Sequence, residues 1–247
     1  MLFKENGNEE LPTIILLHGG GLSDWALSYV VELMKNDYHI VTPVIEGHGE
    51  NGDETFISIE DSAEKLIKHI DEKYDGEVFA LGGLSLGAQI IIEVLARRAD
   101  ITQFAIIESA LVIPIKGTTA LTIPTYKLFY GLVKKRWFAK MQAQTLCVPE
   151  TMFEQYFRDS LRMSKESLIN ITLSNGNYNL KNSIAKTTAK VLIIVGEKEI
   201  KLMQKSAQIL KSKIPNSELL ISKQMKHGEL SIVNPQKFVE IIKNHLR

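Results

Sequence analysis

The stretch "ALGGLSLGAQ", residues 80–89, decides how the rest of the chain is read. The residues leading into it, "EVFAL" (77–81), have the composition of a buried strand, and those leaving it, "AQIIIEVLARR" (88–98), are apolar nearly all round, as a buried helix is. Between them Gly82, Gly83 and Gly87 crowd a single hydroxyl, that of Ser85. A strand that turns abruptly into a helix holds the residue at its tip out of the backbone, at the carboxyl end of the strand and the positive amino end of the helix. Side chains at positions 83 and 87 would collide with the neighbouring strand and helix, which explains the glycines. Ser85 is therefore the candidate nucleophile.

Working outward, short runs rich in β-branched and aliphatic residues recur at 13–17, 39–42, 103–107, 190–195 and 218–221, separated by polar or glycine-rich turns and longer segments of helical spacing. This alternation predicts an α/β fold: a mostly parallel central sheet with helices on both faces. In "SIEDSAEKLIKHIDEKY" Ser58 stands three residues before Asp61, a capping arrangement, and Ile59, Ala63, Leu66 and Ile70 fall on one apolar face. After residue 107 about eighty residues pass with helical patterns and no clear strand, too long for an unstructured loop inside a compact domain. Residues 112–183 are read as an inserted helical lid, and 1–111 with 184–247 as the core. The aromatic residues of the insert, Tyr130, Phe153 and Tyr156 among them, are candidates for an apolar substrate pocket.

The totals narrow the function. Lys plus Arg and Asp plus Glu are both 29, so no field over the whole molecule favours a polyanion, and a nucleic-acid partner is not expected. The run Lys134, Lys135, Arg136 reads as a solvated helix face. No apolar run reaches the length of a membrane span, the polar start "MLFKENGNEE" lacks the features of a secretory signal, and the single Cys147 cannot form an internal disulfide. The expectation is a cytoplasmic protein with a small-molecule substrate, no membrane partner, and an oligomeric state that the sequence leaves open. No two histidines stand at ligand spacing and the cysteine has no partner, so no metal is expected.

A serine nucleophile needs a base, an orienting acid and donors for an oxyanion. "LLHGGG" follows the run 13–17 and offers backbone N–H groups unhidden by side chains; the N–H of Gly20 with that of Leu86 would form an oxyanion hole. Among six histidines, His227 alone lies between the last run of strand character and a terminal helical pattern, which returns it to the sheet edge carrying Ser85. His18 and His48 flank glycine turns and read as loop-fixing hydrogen bonders; His39, His69 and His245 read as structural or exposed. Three carboxylates compete for the acid: Glu108, Glu197 and Glu199, all at carboxyl ends of expected strands.

Together "HGGG", "EGHGENG", "GLSLG", "VGEKE" and "KHGELSIVNPQKF" make the chain resemble the α/β-hydrolase superfamily over almost its whole length. The resemblance places the acid on the third residue after Gly196, Glu199, where aspartate is usual, with Glu108 as runner-up. Another departure is Val44, where a carboxylate often precedes the Gly-His-Gly loop. The start is short, so one or two early strands of the usual eight are expected to be missing. What the resemblance implies is a serine hydrolase, carboxylesterase- or thioesterase-like, using Ser85, His227 and Glu199 without a cofactor. Two other readings stand beside it: a lyase of the menaquinone-pathway type on the same fold, whose members act on polyanions through pocket arginines, and a binding or sensing module with little turnover.

Overall fold

The computed structural model describes all 247 residues. Seven strands form one sheet in the order β1-β3-β2-β4-β5-β6-β7. They are β1 (Leu2–Asn6), β2 (Thr13–Leu17), β3 (His39–Val44), β4 (Val78–Leu84), β5 (Thr102–Glu108), β6 (Lys190–Gly196) and β7 (Ser217–Ser222). Every neighbouring pair is parallel except β1 with β3. The helices are α1 (Ser28–Met34), α2 (Ile59–Lys73), α3 (Leu86–Arg97), α4 (Thr118–Val133), α5 (Arg136–Thr145), α6 (Phe153–Arg162), α7 (Lys165–Asn177), α8 (Lys201–Lys213), α9 (Glu229–Val233) and α10 (Pro235–His245).

The sheet is buried on both faces because its central strands carry near-continuous apolar runs, such as residues 14–17 and 105–107, and successive side chains point to opposite sides. Ile15 and Leu17 of β2 pack with Leu66 and Ile70 of α2 and Ile90 and Val94 of α3. Ile14 and Leu16, one residue out of phase, pack with Val30 and Met34 of α1 and Phe238 and Ile242 of α10 on the other face. Helix α2 begins as its sequence predicts, with Ser58 Oγ accepting the Asp61 N–H at 3.1 Å.

Strand β1 corrects the sequence reading, whose strand pattern begins only at Thr13. Its residues "LFKEN" carry Lys4 and Glu5 and none is fully buried. An edge strand blunted by charge lacks the apolar run that marks an interior one. It pairs antiparallel with β3 from Leu2 opposite Val44 to Asn6 opposite Ile40. The sheet thus falls one strand short of the eight usual in the family that the sequence resembles.

Strand order also places the site. From β2 the chain goes to β3 on one side and then returns to β4 on the other, so the connections after β2 and β4 depart from each other at a topological switch point, where open α/β sheets bind ligands. Leu17 is paired with Gly83, which sets His18–Gly21 beside Ser85 at the carboxyl edge. Helices α4 to α7 lie between β5 and β6. They are joined to the core by an apolar cluster in which Tyr156, Ala139 and Ala143 meet Trp25, Leu84 and Ile232. Trp25 Nε1 donates to Asp159 Oδ2 at 2.7 Å beside it.

Candidate active site

At the turn from β4 into α3, Ser85 has φ 53° and ψ −109°, a conformation that L-residues rarely adopt and that costs roughly 1–3 kcal/mol. Two bonds hold it there: the Ser85 N–H donates to the Glu108 carbonyl at 2.9 Å and the Gln89 N–H to the Ser85 carbonyl at 3.0 Å. The close approach of strand and helix permits no side chain at either flank. A Cβ at Gly83 would lie 2.4 Å from the Gly87 carbonyl carbon, and one at Gly87 2.6 Å from the Leu17 and His18 carbonyl oxygens. The strain is thus imposed by packing around the residue that carries the hydroxyl.

His227 sits after β7 and ahead of α9, with Nδ1 2.7 Å from Glu199 Oε2. Glu199 is wholly enclosed at its side chain. Its Oε1 accepts the Ser109 hydroxyl at 2.7 Å and the Gly196 N–H at 2.8 Å. Burial alone would push this carboxyl up, but the bonds and charge of His227, with the Gly196 and Ser109 donors, outweigh it and hold the group below the usual carboxylate range. An ionised Glu199 fixes the imidazole with its proton on Nδ1, leaving Nε2 as the basic nitrogen. Ser85 and His227 line one small cleft with Gly20, Leu84, Leu146 and Ile232.

Glu108, the competing acid, is placed differently. Its side chain is buried and accepts the Ser231 N–H at 3.3 Å, while Oε2 has no partner. Burial among Leu16, Leu27, Leu84 and Phe238 raises its pKa to about 7, although Ser231 and the charge of His227 act the other way. The native state therefore binds this proton more tightly than the unfolded chain, and stability should fall as pH rises from the unfolded value through about 7. Between about pH 5 and pH 8 the wild type should lose on the order of 3 kcal/mol relative to Glu108→Gln, which cannot titrate. Denaturant titrations at both pH values check this, and parallel losses in the two proteins would mean that Glu108 is ionised throughout.

The N–H of Gly20 donates to no backbone carbonyl. Leu86 is the first residue of α3, so its N–H is among the four that a helix leaves unbonded. The two residues are adjacent, a Cβ on Gly20 lying 3.6 Å from Leu86 Cβ. The histidines nearby hold loops. His18 Nε2 accepts the Ile45 N–H at 3.1 Å, so Nδ1 carries the proton that goes to the Gly19 carbonyl at 2.9 Å. His48 lies edge-on to His18 and bonds the Glu46 carbonyl. Full burial lowers His18 to about 4 and, with His18 as neighbour, His48 to about 3, so both are neutral at physiological pH.

Gly20 and Leu146 are shared between the cleft and a cavity of about 280 Å³ beneath the inserted helices. Tyr126, Val133, Tyr156, Met163, Leu168 and Ile171 line it, and no charged side chain does. Of the aromatic residues singled out in the sequence, Tyr156 is in this wall. Tyr130 instead donates its hydroxyl to the Met163 carbonyl at 3.0 Å, tying α4 to the end of α6. Phe153 stacks on Phe157 beneath the Arg136 guanidinium and is absent from the cavity lining. Tyr126, another aromatic residue of the insert, is also in the cavity lining, and Ser109 is the functional candidate that the sequence reading passed over. Ser109 follows β5 with φ 56°, which turns its hydroxyl to a carboxylate ninety residues away, and no local pattern signals that.

Comparison with known proteins gives three findings. The family model described as "Alpha/beta hydrolase family" matches residues 14–202. No curated protein sequence matches the chain. Among solved structures, the chain is similar to an esterase from Exiguobacterium antarcticum (17% identity, TM-score 0.81, covering 99% of this chain and 94% of the other). A bromoperoxidase from Bacillus anthracis gives the same values. MenH from S. aureus has 20% identity and a TM-score of 0.75 over 99% of this chain and 97% of its own. At these identities the neighbours share the fold, and their different names show that fold alone does not select a reaction. With the family model covering residues 14–202, from β2 into α8, the chain belongs to the alpha/beta hydrolase family.

Proposed function

We propose that this protein is a serine hydrolase that cleaves an uncharged ester or thioester with a largely apolar acyl or alcohol group, through an acyl-enzyme on Ser85. The observation that carries this reading is the buried Glu199 bonded at 2.7 Å to His227, which shares a cleft with the strained Ser85 next to a cavity free of charge. In this mechanism Ser85 Oγ attacks the carbonyl carbon and gives its proton to His227 Nε2, and Glu199 stabilises the resulting imidazolium. The N–H groups of Gly20 and Leu86 receive the oxyanion. Collapse of the tetrahedral intermediate expels the alcohol or thiol, which takes the proton back from Nε2, and water repeats the sequence to release the acid. No step calls for a cofactor.

A cavity of this volume lies at the lower end of small-molecule sites, and its uncharged lining favours a short to medium apolar group over a polyanion. The lyase reading draws no support from it, since the lining holds neither arginine nor lysine. A binding module with little turnover would not require the buried acid, base and strained nucleophile to meet in one place.

Assays with nitrophenyl esters of increasing acyl length, alongside a matched series ending in a carboxylate, test this assignment. Turnover should rise with chain length to an optimum and fall steeply for the charged series. Tyr156→Ala should move that optimum to longer chains, because it enlarges the cavity, while changing the rate on the acetyl ester less. No turnover of any ester or thioester would overturn the reading. A uniform loss on every ester, matched by lower thermal stability, would reduce Tyr156 to a packing role.

A further inference from the structure

Helix α4 rests on the molecule by a narrow stripe. Thr122, Tyr126, Tyr130 and Val133 turn inward, and most of the remaining circumference faces outward. That outer surface is apolar. Leu121, Leu128 and Leu132 follow one another at spacings of seven and four along one ridge, with Phe129 beside them, and Leu128 is 74% exposed. The next helix, α5, begins after two further residues and exposes Trp137 (63%) and Met141 one turn apart. A surface helix normally turns charged and polar residues to water, and an apolar patch of this kind marks a contact that is missing.

Charge says what the contact is. Between Glu108 and Glu150 the chain has Lys116, Lys127, Lys134, Lys135, Arg136 and Lys140 and no Asp or Glu at all. Six of the 29 basic residues and none of the 29 acidic ones fall in this segment, leaving the rest of the chain net negative; the zero net charge averages over that asymmetry. Arg136 is paired with Glu154, Lys140 lies 3.9 Å from Glu150, and Lys134 caps carbonyls at the end of α6. Lys116, Lys127 and Lys135 are exposed and form no ion pair. A second copy of the chain docked by twofold symmetry would set this basic patch against itself. An apolar ridge with lysines and an exposed tryptophan beside it is complementary instead to an anionic lipid surface, where the apolar side chains enter the headgroup boundary and the lysines remain at the phosphates. No helix is long and apolar enough to cross a membrane, so such contact is peripheral.

We propose that the outer face of α4 and the start of α5 dock this protein on an anionic lipid bilayer surface. The inner stripe of the same helix supplies Tyr126 and Val133 to the cavity wall, so docking places the cavity within about one helix diameter, roughly 10 Å, of the lipid. The surface stands whether or not the hydrolase assignment does, since none of its residues touches Ser85, His227 or Glu199.

Co-sedimentation with vesicles of equimolar phosphatidylcholine and phosphatidylglycerol, and of phosphatidylcholine alone, tests it. The wild type should bind the anionic vesicles in low salt, bind neutral ones far less, and be released as salt is raised. Leu121→Ser/Leu128→Ser and Lys127→Glu/Lys135→Glu should each weaken binding by about tenfold or more, with circular dichroism unchanged. Trp25 is buried, so an emission shift on binding reports Trp137, and Trp137→Phe should remove the shift while most of the binding remains. Failure to bind anionic vesicles in low salt, or binding untouched by both double variants, would overturn the proposal. So would light scattering that shows a dimer which the Leu121→Ser/Leu128→Ser variant dissociates, since the ridge would then be covered by a second copy.

Discussion

Ser85→Ala is expected to lower turnover of the best ester by on the order of 10⁶-fold, the scale on which serine hydrolases lose rate when their nucleophile is removed. A fluorophosphonate should add once to the wild type by intact mass and not at all to the variant. The fold should be indifferent to the change. The cost of φ 53° at this position is a backbone cost that alanine bears as serine does, and both bonds holding it are made by backbone atoms. A melting temperature within a degree or two of the wild type would therefore accompany the loss. The chain's one thiol is a poor substitute: Cys147 is half-buried, and burial raises its pKa, with the charge of Glu229 adding to the rise, so little thiolate is present to attack the reagent. Equal labelling of Ser85→Ala would remove Ser85 as nucleophile.

That the turn from β4 into α3 could be read from ten residues has a physical reason. The constraint on Gly83 arises between β4 and the helix that follows it directly, so it is written in adjacent positions, and Gly87, pressed against the Leu17 and His18 carbonyls at the end of β2, falls in the first turn of that same helix. The two-faced sheet was legible for a similar reason, because strands buried on both sides read as near-continuous apolar runs. Strand β1 escaped because an edge strand is under no such demand, and its Lys4 and Glu5 read as loop. In the insert, helical periodicity shows that α6 is amphipathic but not which aromatic side chain meets empty space. Phe153 and Tyr156 are one turn apart, and only the second lines the cavity. Ser109 is the extreme case, since its bond to Glu199 depends on a left-handed residue after β5 and a turn after β6 lying side by side.

The acid of the proposed triad was open in the residues themselves and assigned to Glu199 by resemblance, and a single isosteric substitution tests it. In Glu199→Gln the side-chain amide has one acceptor oxygen and one NH₂ to place. Two donors, the Gly196 N–H at 2.8 Å and the Ser109 hydroxyl at 2.7 Å, already converge on Oε1, so the acceptor must stay there. The NH₂ then takes the place of Oε2, 2.7 Å from His227 Nδ1. Two donors cannot face each other, so the imidazole must move its proton to Nε2, the nitrogen that has to be free to take the Ser85 proton. The nucleophile would be left beside a base in the wrong tautomer, which in serine proteases costs about 10⁴-fold in turnover with geometry preserved. Glu199→Gln should show that loss while keeping its fold. Glu108→Gln should lose much less, because the Glu108 carboxyl meets the Ser231 N–H and an apolar wall rather than the imidazole. Kinetics of the two variants on one ester, with circular dichroism to check folding, decide between them, and the reverse order of losses would transfer the role to Glu108.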